Sequence, residues 1–193
     1  MIRAFLAPAV ALLAGCATTP QQAPGDRFFD RLTALCGKAF EGRIVSPSVP
    51  ADQAFAGKRL VMHVRECSAG AIRIPFHVGE DRSRTWVITR QGRALRLKHD
   101  HRHADGSEDR VTQYGGDSAG AGSVQRQTFP ADAFTKALLV REGNRTGVDN
   151  VWAVEVQPER TFAYELRRPN RFFRVEFDLT RSVSAPPPPW GAR

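Results

Sequence analysis

Hydrophobic and polar positions alternate along most of the chain after residue 38. In the stretch AIRIPFHVG, for example, apolar residues occupy every second position and arginine, proline and histidine stand between them. Successive side chains of a β-strand point to opposite faces, so this period of two predicts strands with one apolar face. The same pattern recurs in FEGRIVS, KRLVMHVREC, RTWVITR, ALRLKHDHRH, DRVTQYGG, SVQRQTF, VWAVEVQ, TFAYELRR and RFFRVEFDL. The pattern therefore predicts about ten strands.

Two segments have helical spacing instead. Phe28, Leu32 and Leu35 fall on one face of the first segment, and Asp26 can cap its start. This predicts a short amphipathic helix from Asp26 to Cys36. The segment PADAFTKALL has the same spacing and a proline in its first turn, which predicts one helical insertion between strands.

The connections between the predicted strands are short and rich in turn residues, so consecutive strands are expected to pair antiparallel. A twisted sheet of this many strands tends to close, because closure removes exposed edges. We therefore expect an all-β domain over residues 26–181, folded as a single up-and-down antiparallel β-barrel. This layout resembles the lipocalin-like (calycin) barrels, which implies an interior site for a small apolar ligand. The region from FHVGEDRSRTWVITR to LKHDHRHADGSED also resembles secreted proteobacterial proteins of unknown function.

The N-terminus has the features of an export signal. Arg3 precedes an apolar run over 4–13 that is too short to span roughly 30 Å of hydrocarbon. The sequence Leu13-Ala14-Gly15-Cys16 at its end resembles the lipobox of bacterial lipoproteins. This resemblance implies that residues 1–15 are a signal peptide and that Cys16 becomes the lipidated N-terminus. The alternative is a soluble secreted protein that carries Cys16.

Acyl chains on Cys16 would hold the protein on a membrane without a spanning helix. Ala17 follows the cysteine, where an aspartate would resemble an inner-membrane retention signal. We therefore expect the periplasmic face of the outer membrane. Residues 16–25 are predicted to be a flexible tether, and the Pro-rich residues 182–193 a disordered tail.

Cys36 and Cys67 are the other two cysteines. An even pair in an oxidising compartment predicts a structural disulfide, and two free thiols are the alternative. The spacing is not the CxxC of redox-active pairs.

The chain of 193 residues has a formal net charge of +8, with 28 Lys+Arg against 20 Asp+Glu. An exported lipoprotein rarely meets nucleic acid, so acidic lipid headgroups or an anionic envelope polymer are better electrostatic partners. No Lys- or Arg-rich run stands out, however, which favours charges spread over a solvated surface.

Three of the five histidines lie at alternate positions in LRLKHDHRH. On a strand, Leu95, Leu97, His99, His101 and His103 share one face, which changes from apolar to imidazole toward the next turn. Such a gradient is typical of a barrel that is apolar in the middle and polar at its mouth. A metal or anion site at the mouth and a catalytic role are the alternatives.

Other residues could contribute to a site at the same mouth. His63, His77 and Trp86 lie on neighbouring predicted strands and are further ligand-binding candidates. Five arginines of this region would form a pocket for an anionic head group if they converged: Arg65, Arg73, Arg82, Arg84 and Arg90.

Three functions are compatible with these features. The first is a lipid-anchored binding protein for a small apolar or amphipathic ligand. The second is a structural or assembly lipoprotein of the envelope without a ligand. The third is a metal-dependent enzyme that uses the histidine strand. The GDSAG sequence around Ser118 has the GxSxG spacing of hydrolases, but it lies in a glycine-rich loop without the strand-to-helix signal that should follow it, and the chain lacks the GK[ST] ending of a P-loop. No cofactor and no oligomeric state follow from the sequence.

Overall fold

The computed structural model describes residues 22–192. It contains helices α1 (Pro24–Thr33) and α2 (Ala133–Arg141) and two 3₁₀ helices, Pro50–Phe55 and Arg145–Asp149. The strands are β1 (Ala39–Ile44), β2 (Leu60–His63), β3 (Glu66–Cys67), β4 (Ala71–Val78), β5 (Asp81–Gln91), β6 (Ala94–His101), β7 (Tyr114–Asp117), β8 (Arg126–Pro130), β9 (Val151–Gln157), β10 (Thr161–Arg168) and β11 (Arg171–Asp178). The predicted signal peptide and the lipidated Cys16 lie outside the described residues.

The strands form a nearly closed antiparallel barrel in the order β7-β6-β5-β4-β2-β1-β11-β10-β9-β8, with β3 paired to β4 beside this path. Consecutive strands are neighbours over most of the barrel, and β1 pairs with β11. The predicted all-β barrel with an N-terminal helix and one helical insertion is confirmed.

The seam of the barrel lies between β7 and β8. The amide of Ala119 donates to the carbonyl oxygen of Thr128 at 2.9 Å, just beyond the end of β7. A Cβ atom on Gly116 would lie 1.8 Å from the carbonyl oxygen of Pro130. The two strands can therefore approach this closely only because β7 has a glycine here.

The barrel centre is filled by side chains that the period-two pattern places inside. Trp86 packs against Phe76 and Phe162, with ring centroids 4.9 Å and 6.0 Å apart. Phe177 meets Phe162 edge-on at 5.8 Å. These aromatic residues are almost completely buried, so they form the core of the fold.

Helix α1 closes one end of the barrel. Its Phe28 and Leu32 are fully buried in the core. The guanidinium of Arg90, near the end of β5, lies 4.2 Å from the ring centre of Phe29 and 3.2 Å from a carboxylate oxygen of Asp30. Aromatic packing and an ion pair thus hold α1 against the barrel rim.

The predicted helix over 26–36 ends earlier in the structure, at Thr33. The amides of Leu35 and Cys36 donate to the carbonyl oxygens three residues before them, so the chain tightens into a turn. Gly37 then adopts a φ of 81°, which suits a glycine. Helical spacing continues through this turn, which is why the sequence pattern extended the helix too far.

Cys36 and Cys67 form a disulfide, as predicted. It joins the turn after α1 to β3. The segment KRLVMHVREC, predicted as one strand, is divided into β2 and β3. Between them the amide of Val64 donates to the carbonyl oxygen of Lys38, while the amide of Arg65 donates to that of Arg73.

The Pro-rich tail, predicted to be disordered, makes backbone contacts with the outside of the barrel. Val183 forms an isolated bridge with Ala39. Trp190 donates its amide to the carbonyl oxygen of Arg82, and the Arg82 guanidinium donates to the carbonyl oxygen of Pro188. An extended polyproline segment has free carbonyl groups, which explains how it pairs without joining the sheet. Within residues 22–192, no helix has the length and hydropathy needed to cross a membrane.

Candidate functional site

A cavity of about 330 Å³ lies inside the barrel at the end opposite α1. Side chains of β4, β5, β6, β7, β9, β10 and β11 form its wall. The 3₁₀ helix Pro50–Phe55 adds Ala51, Ala54 and Phe55. Small-molecule sites in proteins typically occupy about 300–1,000 Å³, so the cavity is large enough for a compact ligand.

Aromatic rings form the apolar part of this wall. Trp86 stacks on Tyr164 with ring centroids 4.4 Å apart. It also stacks on Phe76, with ring centroids 4.9 Å apart. Phe55 lies 5.1 Å from Phe173, which closes the side toward β11. A wall of this kind binds the apolar body of a ligand.

His99 is built into the inner end of the cavity by two hydrogen bonds. Its Nδ1 lies 3.0 Å from the backbone oxygen of Tyr114, and its Nε2 lies 2.7 Å from the hydroxyl of Tyr164. A carbonyl oxygen can only accept, so Nδ1 donates and Nε2 accepts from the tyrosine. The pKa of His99 is lowered to about 3, mainly by burial and to a smaller extent by the neighbouring His101. His99 is therefore neutral at physiological pH, with both ring nitrogens engaged.

His101 lies nearer the mouth, 3.2 Å from the Tyr114 hydroxyl through Nε2. Burial, followed by the charge of Arg84, lowers its pKa to about 4. Burial also raises the pKa of Tyr114 and of Tyr164, so both hydroxyls keep their protons. These four side chains thus provide the cavity with uncharged donors and acceptors.

The charged side chains of the cavity wall are arginines. Its described residues include Arg84, Arg168 and Arg171 but neither aspartate nor glutamate. Arg84 pairs with Asp81, and Arg171 pairs with Asp52.

Arg168 differs from the other two arginines, because its recorded side-chain partner is the amide oxygen of Asn150, at 3.2 Å. Burial lowers the pKa of Arg168, and the charge of Arg171 acts in the same direction.

The pair between Asp52 and Arg171 also positions the 3₁₀ helix. The Asp52 side chain is only 4% exposed, and this residue lies within Pro50–Phe55. The ion pair therefore ties the helix at the mouth to the start of β11. Phe55 reinforces this contact, because the Arg84 guanidinium lies 5.8 Å from its ring centre.

Three of the sequence candidates meet in the cavity: His99, His101 and Trp86. His103 lies beyond the end of β6 in an exposed turn. His63 and His77 lie on the outer face of β2 and β4, opposite the core residues Met62 and Phe76.

The five candidate arginines do not converge. Arg84 lines the cavity, whereas Arg65 and Arg73 line a groove on the outside. Arg90 holds α1, and Arg82 contacts the tail.

The sequence reasoning missed Tyr114, Tyr164, Arg168 and Arg171. A signal for part of this set exists in β10. Phe162, Tyr164, Leu166 and Arg168 share one face, which changes from apolar to cationic toward the next turn. This is the same gradient that drew attention to the histidine strand.

The described residues contain no cluster of three or more His, Cys, Asp or Glu side chains placed to hold a metal ion. His99 uses both nitrogens for other contacts, and His103 is outside the cavity. The histidine row therefore does not assemble as a metal site in this part of the chain.

A groove of about 720 Å³ lies outside the barrel, beneath the residues around Trp190. Its charged side chains already pair with each other, since Asp100 accepts from Arg73 at 2.6 Å and from Arg102 at 2.8 Å. The interior cavity, with an arginine that lacks such a partner, is the better candidate for a ligand site.

Comparison of the chain with protein-family models, with curated proteins and with solved structures found no match.

Proposed function

We propose that this protein binds a small amphipathic ligand in the cavity at the open end of its barrel. The observation that carries the proposal is the composition of the cavity wall, which combines stacked aromatic rings with the hydroxyl and imidazole groups of a few polar residues. Binding sites for small molecules have this combination, because apolar walls supply affinity and a few polar groups fix orientation. We propose no catalytic role for His99, whose two nitrogens are already bonded.

The neutral probe N-phenyl-1-naphthylamine tests this function directly. Trp86 and Trp152 line the cavity, so a bound probe receives excitation energy from them. We expect saturable binding of one probe per chain.

Two matched variants locate the bound probe. Ala54→Phe places a ring at the mouth and is expected to weaken binding at least tenfold. Gln53→Phe adds the same ring to the same 3₁₀ helix at a residue that does not line the cavity, and should bind like wild type. Non-saturable binding, or equal binding by both variants, would exclude the cavity as the site.

We also propose that Cys16 is lipidated and holds the protein at the periplasmic face of an outer membrane. The Leu13-Ala14-Gly15-Cys16 motif supports this proposal, and the Cys36–Cys67 disulfide is consistent with an oxidising compartment. Intact mass of the membrane-extracted protein should show diacylglycerol on Cys16, and Cys16→Ser should leave the membrane fraction. A wild-type protein that carries no lipid contradicts the anchor without affecting the binding proposal.

The second candidate, an assembly lipoprotein without a ligand, is favoured by one observation. The barrel centre is filled by Trp86, Phe162 and Phe177, so the cavity does not extend through the described barrel. Native mass spectrometry of protein purified from its own host separates the two functions. A co-purifying small molecule supports ligand binding, and reproducible cross-linking to one envelope protein without it supports assembly.

A further inference from the structure

Arg168 is the feature of the cavity that structural stability alone does not explain. In the described part of the chain, Arg84 and Arg171 each have a carboxylate partner, whereas Arg168 has the neutral amide of Asn150. A partly buried charge is unfavourable unless it is paired. Arg168 therefore gives the mouth of the cavity one guanidinium without a carboxylate in direct contact, although the charge of Asp52 acts on it from nearby.

Neighbouring groups also favour an anion beside Arg168. Arg171 follows across the Pro169-Asn170 turn, in register with Arg168 on the neighbouring strand. Burial and then the charge of Arg171 lower the pKa of the Arg168 guanidinium, and the charge of Asp52 opposes them in part. Arg171 is paired with Asp52, and both the Arg171 Nε and the Asp52 Oδ2 are buried without a hydrogen-bond partner. An anion placed between the two guanidinium groups would be attracted by both.

We infer that the natural ligand is a monocarboxylate with a compact apolar body, and that Arg168 binds its carboxylate. The inference rests on the proposed ligand-binding function and names the class of ligand. The planar guanidinium of arginine matches a carboxylate with two parallel hydrogen bonds. The apolar body lies against the rings of Trp86 and Phe173, deeper in the same cavity.

The charge of the ligand follows from the count of unpaired cations. One arginine of the cavity wall, Arg168, has no carboxylate in direct contact and so matches one negative charge. A phosphate monoester carries about 1.5–2 negative charges at pH 7, so it would leave excess negative charge in a partly buried site. A cationic ligand would be repelled by all three arginines.

Four probes that share a naphthalene body test this inference by isothermal titration calorimetry at pH 7: 2-naphthoate, 2-naphthol, 2-naphthylmethylamine and 2-naphthyl phosphate. We expect wild type to bind 2-naphthoate at least tenfold more tightly than each of the other three. Arg168→Met should weaken the affinity for 2-naphthoate by about 10- to 100-fold, which is the contribution of a hydrogen bond between charged groups. Its affinity for 2-naphthol should not change.

Arg167→Met is the matched control, because Arg167 is exposed on the opposite face of β10 and stacks on Phe172 at 4.4 Å. It should bind all four probes like wild type. Arg168→Lys keeps the charge without the planar fork and is expected to recover part of the affinity for 2-naphthoate. If circular dichroism shows that Arg168→Met is unfolded, two measurements still test the inference. They are the ratio of the wild-type affinities for 2-naphthoate and 2-naphthol, and the affinity of Arg168→Lys for 2-naphthoate.

The outcomes separate this inference from the proposed function. Equal binding of 2-naphthol and 2-naphthoate overturns carboxylate recognition, while the cavity remains a binding site. Tighter binding of 2-naphthyl phosphate replaces the monocarboxylate by a phosphate ester. If neither these probes nor N-phenyl-1-naphthylamine bind, the binding function itself fails.

Discussion

His99 is a buried histidine that the fold keeps neutral. It is 2% exposed and bonded through both nitrogens, to the backbone of Tyr114 and to the hydroxyl of Tyr164. Protonation would place a charge in the barrel core and would break the bond that Nε2 accepts. The imidazole is thus a structural hydrogen-bonding group that shapes the inner wall of the cavity.

A pH dependence of stability follows from this arrangement. The pKa of His99 is lowered from 6.5 in the unfolded chain to about 3, so the unfolded state binds more protons between these values. Stability is therefore complete above pH 6.5 and falls as the pH drops toward 3. Between pH 7 and pH 5, His99 alone should remove about 2 kcal/mol from the free energy of unfolding.

Urea denaturation of wild type and of His99→Gln at pH 7 and pH 5 measures the contribution of His99 to the free energy of unfolding. The variant should lose about 2 kcal/mol less than wild type over the same pH change. His103→Gln, at an exposed turn, is the matched control and should keep the wild-type pH dependence. Parallel pH profiles for wild type and His99→Gln would contradict a neutral buried imidazole.

The residue-scale pattern of the sequence predicted the face of His99 but not its partners. Leu95, Leu97 and His99 are buried on one side of β6, as the alternation requires. Tyr114 and Tyr164 follow His99 by 15 and 65 residues. Which tyrosine reaches which ring depends on barrel closure, and local periodicity carries no information about contacts across the barrel.

At the scale of elements, α2 holds the seam of the barrel. The hydroxyl of Thr135 accepts from the amide of Gly115 at 2.7 Å and donates to its carbonyl oxygen at 2.8 Å. Asp132 caps the helix by accepting from the Thr135 amide, and its own amide donates to Gly115 at 3.0 Å. The helical insertion thus joins the end of β8 to β7, two strands that form no ladder with each other in the described sheet.

Replacement of Thr135 tests this bridging role. Thr135→Val should reduce the free energy of unfolding by about 1–3 kcal/mol, because the buried amide of Gly115 loses its partner. Thr135→Ser keeps the hydroxyl and should lose only about 1 kcal/mol for the missing methyl group. Urea denaturation gives both values, and hydrogen exchange should show faster exchange of the Gly115 amide in the valine variant alone. Equal losses in the two variants would mean that packing, and not the hydrogen bonds, fixes α2.

Local periodicity located both helices and almost every strand, because each depends on which face of a short segment is apolar. It was less successful where backbone contacts from elsewhere interrupt a strand. Val64 bonds to Lys38 and so ends β2, although apolar alternation continues to Cys67. The role of α2 at the seam was likewise beyond the sequence, because it depends on Gly116 and on how the barrel closes.

At the scale of the whole molecule, the two ends of the barrel differ, because one is packed by a helix and the other holds the cavity. Helix α1 fills one end with Phe28 and Leu32, so that end contributes packing. The other end is open, and a 3₁₀ helix that an ion pair between Asp52 and Arg171 holds to β11 lines the mouth of the cavity there. Side chains from seven strands form the cavity wall at this end, which is why Arg168 could not be recognised as a site residue from one strand alone.

The disulfide fastens the closed end. Cys36 follows α1 and Cys67 lies in β3, with a sequence separation of 31. In the chain-entropy account, a crosslink over a loop of this length stabilises the fold by about 3–4 kcal/mol. We expect Cys36→Ala/Cys67→Ala to lose this amount in urea denaturation, with Cys16→Ser in both proteins to prevent thiol exchange.

Reduction provides the control for this prediction, since dithiothreitol should destabilise the disulfide-containing protein and leave the double variant unchanged. Reduction also separates the crosslink from packing, because Cys67 packs against the hydrophobic core and an alanine there removes some of that contact. The cavity lies at the other end of the barrel, so the double variant should still bind N-phenyl-1-naphthylamine at temperatures where it is folded. A double variant as stable as the oxidised protein would contradict the crosslink as a stabiliser. Loss of probe binding by a folded double variant would show that the closed end also controls the shape of the cavity.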